Sequence, residues 1–399
     1  MVREHCPTPG IGACAEWCGT HCGPACCRSA SWIARKACST SWQLPHAGRF
    51  ICDPMKGMAH LRPVKDIANH RVMVWQGERN ADGRLAHMYW PVVGTIITGL
   101  VHANVAVVVG LGFSLDYHRE LASLRRGDTL IWVGAVGIRS QPWGSLRARG
   151  VRAVLYQTEP RDLRRQSERC QFLNGTVSEM WDFSWSNIDR CASSLWAPRL
   201  RYIPPGYLGR PGLRASSPTL NSKTMLFIGT LTDVNAKERR RTYRSLKQRL
   251  GGRLQHTSEQ GEHQRICPGC ELMSPVLCLA DNAWNNTAIA ALMQRFDIFL
   301  NLHKDVYAAR PVTFRNAVLL TEGKLIVSER AYAKDETEYE GMILFSDDIV
   351  SDYHRLVDDV DVATQFLRRS SEKFPARFAP VELFRRAGIY SDWGLIEHT

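Results

Sequence analysis

From residue 71 onward, the chain alternates short apolar runs with stretches of helical pattern. This alternation is typical of a parallel sheet with crossover helices, because a strand that is buried on both faces has apolar residues at consecutive positions. The first six runs cover residues 71–75, 105–109, 129–133, 151–156, 179–183 and 201–203. They predict one doubly wound, six-stranded layer.

A second set of apolar runs follows a stretch rich in Pro, Gly and Ser at 204–223. These runs cover residues 225–228, 297–302, 324–327 and 341–345, with helical stretches at 236–250, 287–295 and 312–320 between them. Closing helices are predicted at 352–371 and 380–388. The sequence thus predicts an α/β protein with two tandem Rossmann-like domains.

The predicted organisation has five parts. They are a Cys-rich, disordered extension at 1–60, a first Rossmann-like domain at 61–205, a linker at 206–222, a second Rossmann-like domain at 223–375, and closing helices at 376–399. The linker prediction depends on breaker residues without a periodic pattern, which are typical of connections between domains.

Residues 91–113 contain no Asp, Glu, Lys or Arg, so a membrane span is one interpretation of this stretch. Glycines and polar residues interrupt the stretch, and it divides naturally at 102–104 into a helix and a buried strand. The interpretation as a helix followed by a strand is favoured, since the buried strands of doubly wound sheets give such continuous apolar stretches. A single-span membrane anchor is the alternative.

Eight of the 13 cysteines lie within the first 52 residues. The spacing of Cys14, Cys18, Cys22 and Cys26 would place thiols on one side of a helix, where they could hold zinc. Disulfides in an exported chain are a second alternative, and a disordered extension is favoured. No export signal is found, so a cytoplasmic location is expected.

The composition contains 51 Lys and Arg against 39 Asp and Glu, which gives a formal net charge of +12. Phosphates and other anions are therefore plausible ligands. The densest basic cluster lies at 237–249, where helical spacing favours a solvated face over a nucleic-acid interface. Nucleic acid is thus an unfavoured partner, and a basic nucleic-acid-binding protein is kept as an alternative function.

A candidate anion site lies at the end of the run 297–302. Ligands of open parallel sheets bind beyond the carboxyl ends of the strands. His303 and Lys304 end this run, Pro311 suits a first helical position, and Arg315 follows one turn later. With Arg310 and the helix dipole, these side chains could converge on one anion.

Ser328 and Glu329 occupy the carboxyl end of the next strand. A carboxylate at this position can accept hydrogen bonds from two hydroxyls of a ribose or a sugar. The alternative is that Glu329 caps the next segment or pairs with Arg330, and that Arg315 is a solvated helix arginine.

Residues 315–329 resemble the donor-site region of GT-B glycosyltransferases, especially the group-1 and CgeB-like branch. The shared pattern includes an arginine, Arg315, eight residues before the helix-ending Gly323. Residues 179–187 and 202–207 are similar to the transition between domains in this branch. The loop at Gly229 and Thr230 also fits, and the resemblance covers roughly residues 150 to 350.

The resemblance implies metal-independent transfer of a sugar from a nucleoside diphosphate sugar to an unknown acceptor. The second domain would hold the donor, the first domain would hold the acceptor, and a terminal helix would cross back to the first domain. Apart from this donor substrate, no cofactor and no metal are expected. The predicted donor-binding residues are Gly229, Thr230, His303, Lys304, Arg315, Ser328 and Glu329.

The general base is predicted to come from the first domain. Glu159 is favoured because it follows a strand at the expected edge, and His118 and Asp182 are the other candidates. The alternative is that Glu159 caps a helix. Val318 occupies a position where the family commonly has Glu, so a catalytically inactive module that binds a nucleotide sugar or a partner is an alternative function.

Overall fold

The computed structural model describes most of the chain between residues 71 and 395. The described residues are 71–76, 84–103, 105–111, 115–134, 141–158, 176–192, 199–209, 220, 222–229, 231, 237–250, 277–280, 292–303 and 313–395. The predicted Cys-rich extension lies outside them, as do Glu159, Thr230 and Lys304.

The first sheet contains six parallel strands in the order β2-β1-β3-β4-β5-β6. The strands are β1 (Arg71–Gln76), β2 (Ala106–Leu111), β3 (Thr129–Val133), β4 (Arg152–Gln157), β5 (Glu179–Asp182) and β6 (Arg199–Tyr202). The helices are α1 (Arg84–His102), α2 (Leu115–Ser123), α3 (Trp143–Ala148) and α4 (Trp185–Ala192). Apolar clusters cover both faces, as doubly wound sheets require.

The second sheet contains five parallel strands in the order β11-β10-β9-β7-β8. The strands are β7 (Met225–Ile228), β8 (Leu277–Ala280), β9 (Ile298–Asn301), β10 (Leu325–Glu329) and β11 (Leu344–Ser346). The helices are α5 (Lys237–Arg249), α6 (Thr313–Thr321), α7 (Ala333–Glu338) and α8 (Ile349–Asp358). The predicted architecture of two doubly wound sheets is confirmed.

The strand order of the second sheet reverses between β7 and β9. At such a point the crossover helices leave on opposite faces of the sheet, and a crevice opens beyond the carboxyl ends of the two strands. Gly229 follows β7, and His303 follows β9 after one intervening residue. The fold therefore brings these two predicted residues to the same crevice.

The apolar stretch 91–113 is divided as predicted. Helix α1 ends at His102, and β2 begins at Ala106. Within α1, the hydroxyls of Thr95 and Thr98 donate hydrogen bonds to backbone carbonyls one turn earlier, which satisfies them inside an apolar helix. In the described part of the chain, no helix combines the length and the apolar character needed to cross a bilayer.

The C-terminal helices are α9 (Val360–Phe378), α10 (Pro380–Arg386) and α11 (Ile389–Trp393). The prediction of one helix over 352–371 is wrong, because Asp359 separates α8 from α9. Its side chain accepts hydrogen bonds from the backbone N–H groups of Asp361 and Val362, and it thereby caps the start of α9.

The last two helices return to the first sheet. Phe384, Tyr390 and Trp393 belong to its apolar core. A Cβ atom at Gly99 in α1 would lie 2.7 Å from the Phe384 ring, so this close approach requires glycine. The Tyr390 hydroxyl donates to the carbonyl oxygen of Gly99 at 3.0 Å.

A buried carboxylate fixes this return. Glu179 at the start of β5 accepts two hydrogen bonds from the Arg201 guanidinium, at 2.6 and 3.2 Å. The indole N–H of Trp393 donates to the same carboxylate at 2.8 Å, and Arg201 also pairs with Asp392 at 2.9 Å. We call Glu179, Arg201, Asp392 and Trp393 the C-terminal clamp.

A second buried carboxylate connects the two sheets. Asp335 in α7 accepts hydrogen bonds from the Ser184 hydroxyl and the Trp185 backbone N–H, each at 2.8 Å. Asp335 is 1% exposed, and these donors begin helix α4 of the first sheet. Beside it, Lys334 pairs with Asp189 at 2.9 Å. The second sheet thus supplies the N-terminal cap of a helix that belongs to the first.

Candidate functional site

Arg315 is a buried cation at the crevice of the second sheet. It lies in the first turn of α6 and is 7% exposed. Its Nη2 donates to Oδ1 of Asn301 at 3.2 Å, and its guanidinium carbon lies 5.7 Å from the centre of the Phe227 ring. Among the described residues, no carboxylate pairs with it. The sequence alternative of a solvated arginine is therefore wrong.

A second guanidinium approaches the same ring. Arg239, in the first turn of α5, lies 5.8 Å from the centre of Phe227. Burial, together with the positive charge of Arg239, lowers the pKa of Arg315 to about 9. Arg315 is a buried cation without a carboxylate partner in the described part of the chain, and this favours an anionic ligand, since burying an uncompensated charge is costly.

Gly229 leaves room for this arrangement. A Cβ atom at this position would lie 2.8 Å from Cζ of Phe227 and 3.3 Å from Nη1 of Arg315. Any other residue would push against the ring and the guanidinium. Glycine also lets a ligand approach the backbone closely, as phosphate-binding loops do.

His303 lies just beyond the carboxyl end of β9. Its backbone N–H donates to Oε2 of Glu329 at 2.7 Å, and its Nε2 lies 2.8 Å from the carbonyl oxygen of Arg330. Because a carbonyl only accepts, Nε2 carries the hydrogen in this contact. Nδ1 is buried, and within the described ranges it has no hydrogen-bond partner. A ligand donor would satisfy it.

Ser328 orients the side chain of Asn301. The Asn301 amide nitrogen donates to Oγ of Ser328 at 2.8 Å, and Ser328 donates to the carbonyl oxygen of Glu329 at 2.8 Å. These bonds turn Oδ1 of Asn301 toward Arg315. Asn301 is 1% exposed, and a buried asparagine at the end of an apolar strand is the sequence signal that would have found it.

A pocket of about 380 Å³ lies beside Glu329, between α5 and the start of α8. Its lining is mostly polar and includes Glu238, Arg241, Ser346 and Asp347. Glu329 thus joins the Arg315 crevice to a space bounded by charged and hydroxyl groups. Carboxylates and hydroxyls of this kind suit the hydrogen bonds of a ribose or a sugar.

The candidate bases in the first sheet have different surroundings. Asp182 is fully buried, and its Oδ1 accepts hydrogen bonds from the Ser184 backbone N–H and the Asn187 amide. These bonds fix the start of α4, which gives Asp182 a structural role. His118 is exposed on α2, and Glu159 lies outside the described residues.

The structure brings five of the predicted donor residues to one edge of the second sheet. They are Gly229, His303, Arg315, Ser328 and Glu329. Thr230 and Lys304 lie outside the described residues. Arg239 and Asn301 are additions that sequence reasoning missed. In the described part of the chain, no cluster of His, Cys, Asp or Glu has the composition of a metal centre.

No protein-family model and no curated protein sequence matches the chain. Solved structures do match. An alpha-glucosyltransferase in complex with UDP-glucose and DNA containing an abasic site has a TM-score of 0.52 at 11% identity, covering 81% of this chain and 99% of that chain. The chain has the GT-B fold.

Two further GT-B structures are similar at lower TM-scores. Anabaena HepE in complex with UDP-glucose has a TM-score of 0.49 at 10% identity, covering 81% of this chain and 99% of that chain. TarM from S. aureus has a TM-score of 0.46 at 8% identity, covering 69% of this chain and 57% of that chain. Similarity at such low sequence identity supports the GT-B fold alone. The assignment to the CgeB-like branch stays a prediction.

Proposed function

We propose that the chain transfers a glycosyl group from a nucleoside diphosphate sugar to an acceptor held at the first sheet. The observation that carries this proposal is the pair Arg315 and Arg239, which converge on Phe227 at the crevice of a GT-B fold. A diphosphate supplies the negative charge that buried Arg315 lacks among the described residues.

In the proposed reaction, the bond between the anomeric carbon and the diphosphate oxygen breaks, and the acceptor oxygen bonds to that carbon. Negative charge develops on the leaving diphosphate, where Arg315, Arg239 and the N-terminus of α6 stabilise it without a metal. Nδ1 of His303 accepts a hydrogen bond from a donor hydroxyl. Removal of one group that stabilises the leaving diphosphate typically lowers the rate about 10²-fold.

Glu329 is the proposed contact for ribose or sugar hydroxyls. One of its oxygens holds the His303 backbone N–H, and the side chain borders the 380 Å³ pocket. UDP is the first nucleotide to test, because the solved GT-B structures contain UDP-glucose. Glu159 stays the proposed general base, and its replacement by Gln should lower kcat with little change in donor binding.

A second candidate function is a binding module without turnover. Val318 stands where the family pattern commonly has Glu, and it packs against the apolar cluster beneath α6. Saturable binding of a nucleotide sugar with no release of free nucleotide in the presence of varied acceptors would favour this function over transfer.

The test is the melting temperature of the full chain with UDP, GDP, ADP and their glucose conjugates. A ligand that binds only the native state raises its stability. We expect one nucleotide to raise the melting temperature, and we expect Arg315→Ala to abolish that rise. Arg368→Ala is the matched control, because Arg368 is exposed on α9 and lies far along the chain from the crevice.

Two results would contradict the proposal. The first is the absence of any shift at millimolar nucleotide. The second is an equal loss of the shift in the Arg315 and Arg368 variants.

A further inference from the structure

Helix α5 carries a row of cations on its outer side. Lys237, Arg241 and Arg244 are exposed, and Lys247 is half-buried. Their spacing of four, three and three residues places them along one face of the 13-residue helix. We call these four residues the basic stripe.

The basic stripe has fewer carboxylate partners than the cationic surface of α9. Within the described ranges, none of its four cations pairs with a carboxylate. On α9, Arg368 pairs with Glu372 at 3.3 Å and Arg377 pairs with Glu338 at 3.1 Å, whereas Arg369 and Lys373 donate to backbone carbonyls. Like charges three or four residues apart destabilise a helix. On α9 two cations are neutralised by carboxylates, whereas on the stripe none is within the described ranges, so the stripe is the surface that an external anion would stabilise more.

We propose that the basic stripe binds a linear phosphodiester polymer laid along α5. A helix of 13 residues is about 20 Å long, which spans several successive phosphates. Lysine and arginine contacts to phosphates bind without reading a base or a sugar, because the attraction is between charges. The stripe therefore recognises the backbone of the polymer.

A flat anionic membrane fits this surface less well. Tyr332 and Val360 are the exposed large apolar side chains of the described chain, and neither lies on α5. At the C-terminal end of the stripe, Asp347 and Asp348 have side chains that are 84% and 51% exposed. A bilayer would press against both carboxylates, whereas a narrow polymer can follow the stripe and avoid them.

The stripe is separable from the donor site. Arg239 is on the same helix, but its guanidinium lies over Phe227, under the helix. Arg241 is a stripe residue that also lines the pocket beside Glu329, so the test replaces only the other three cations and leaves Arg239, Arg241 and Arg315 in place. A measurement of nucleotide binding therefore reports separately on the proposed function.

The test measures the fluorescence anisotropy of labelled oligothymidylate with the full chain, across 50 to 200 mM salt. Four phosphate contacts predict a slope of log K against log salt of about −3 for a single strand. The variant Lys237→Gln, Arg244→Gln, Lys247→Gln should reduce the slope to about −1. The matched control is Arg368→Gln, Arg369→Gln, Lys373→Gln, which removes the same charge from α9 and should leave the slope unchanged.

Melting curves with UDP should show that both triple variants are folded and bind nucleotide as the wild type does. The proposal is overturned if the wild type does not bind oligothymidylate at 50 mM salt. It is also overturned if the two triple variants lose affinity equally, which would mean that net charge alone drives binding. Stripe-dependent binding to phosphatidylserine vesicles without binding to oligothymidylate would assign the surface to a membrane instead.

Discussion

At the scale of single residues, Gly229 decides how close the two sides of the crevice lie. Its missing side chain lets the Phe227 ring and the Arg315 guanidinium meet above the end of β7. The site therefore depends on the absence of a Cβ atom at Gly229 as much as on its arginines.

Gly229→Ala should weaken nucleotide binding and lower stability. The new methyl group would lie 2.8 Å from Phe227 and 3.3 Å from Arg315, so one of them must shift. Overpacking of this kind costs about 1–3 kcal/mol in the free energy of unfolding. Urea unfolding and calorimetric titration with nucleotide would measure both effects.

Gly144→Ala is the control for this prediction. Gly144 lies in α3, and no atom lies within 4 Å of the position of its added Cβ. This variant should keep nucleotide binding and gain a little stability, because alanine favours a helix. Equal losses in the two variants would contradict the role of Gly229.

The sequence predicts several site residues but not their surroundings. Arg315 and Gly229 follow from short local motifs and from the location of ligand sites in open sheets. The burial of Arg315 does not, since it depends on Asn301 and Phe227, which come from two other strands. Arg239 is one of seven cations in α5, and only the packed structure shows that it points at the ring.

At the scale of elements, the start of α4 depends on a residue 150 positions away in the chain. We expect Asp335→Ala to destabilise the protein by about 0.5–2 kcal/mol, the usual cost of losing an N-terminal cap. Urea unfolding would measure the loss. Asp189→Asn, which weakens only the exposed contacts to Lys334 and Tyr332, should cost less than the loss of this cap. An Asp335 variant as stable as the wild type would contradict the capping role.

Most elements could be predicted because their apolar runs are long or rich in β-branched residues. Strand β8 was missed, since Leu277–Ala280 contains only four residues and none is β-branched. The break between α8 and α9 was missed because the apolar period continues through it. Only the side chain of Asp359, which accepts hydrogen bonds from the backbone N–H groups of Asp361 and Val362, marks the boundary.

At the scale of the whole molecule, the C-terminal clamp should make stability depend on pH. Burial alone would raise the pKa of Glu179, but hydrogen bonds from Arg201, Trp181 and Trp393 lower it below its ordinary value. The ionised carboxylate therefore stabilises the fold above the ordinary carboxyl pKa. This stabilisation is lost as the pH falls through the lowered native pKa.

Glu179→Gln should reveal this dependence. Removing one partner of a buried ion pair costs about 3–5 kcal/mol at neutral pH. The difference from the wild type should shrink below a pH of about 4 as the wild-type carboxylate is protonated. Urea unfolding at several pH values measures it. Glu372→Gln breaks only an exposed pair, so its curve should follow the wild type throughout.

The overall architecture was predictable because two sets of apolar runs separated by breakers require two parallel sheets. The return of the terminal helix came only from the family resemblance. The contact between the two sheets and the contact that holds the C-terminal helices were not predictable, since Ser184 and Asp335, or Glu179 and Trp393, carry no mutual signal along the chain.

Residues near the C-terminus complete the core of the first sheet, and this has a consequence for synthesis. Phe384 and Trp393 pack against the Trp181 ring, and the Tyr390 hydroxyl bonds to the backbone of α1 at Gly99. A ribosome delivers the first sheet well before these aromatic residues leave the exit tunnel. During that interval α1 presents an open apolar groove to the cell. The nascent chain should therefore engage chaperones until its final helices emerge.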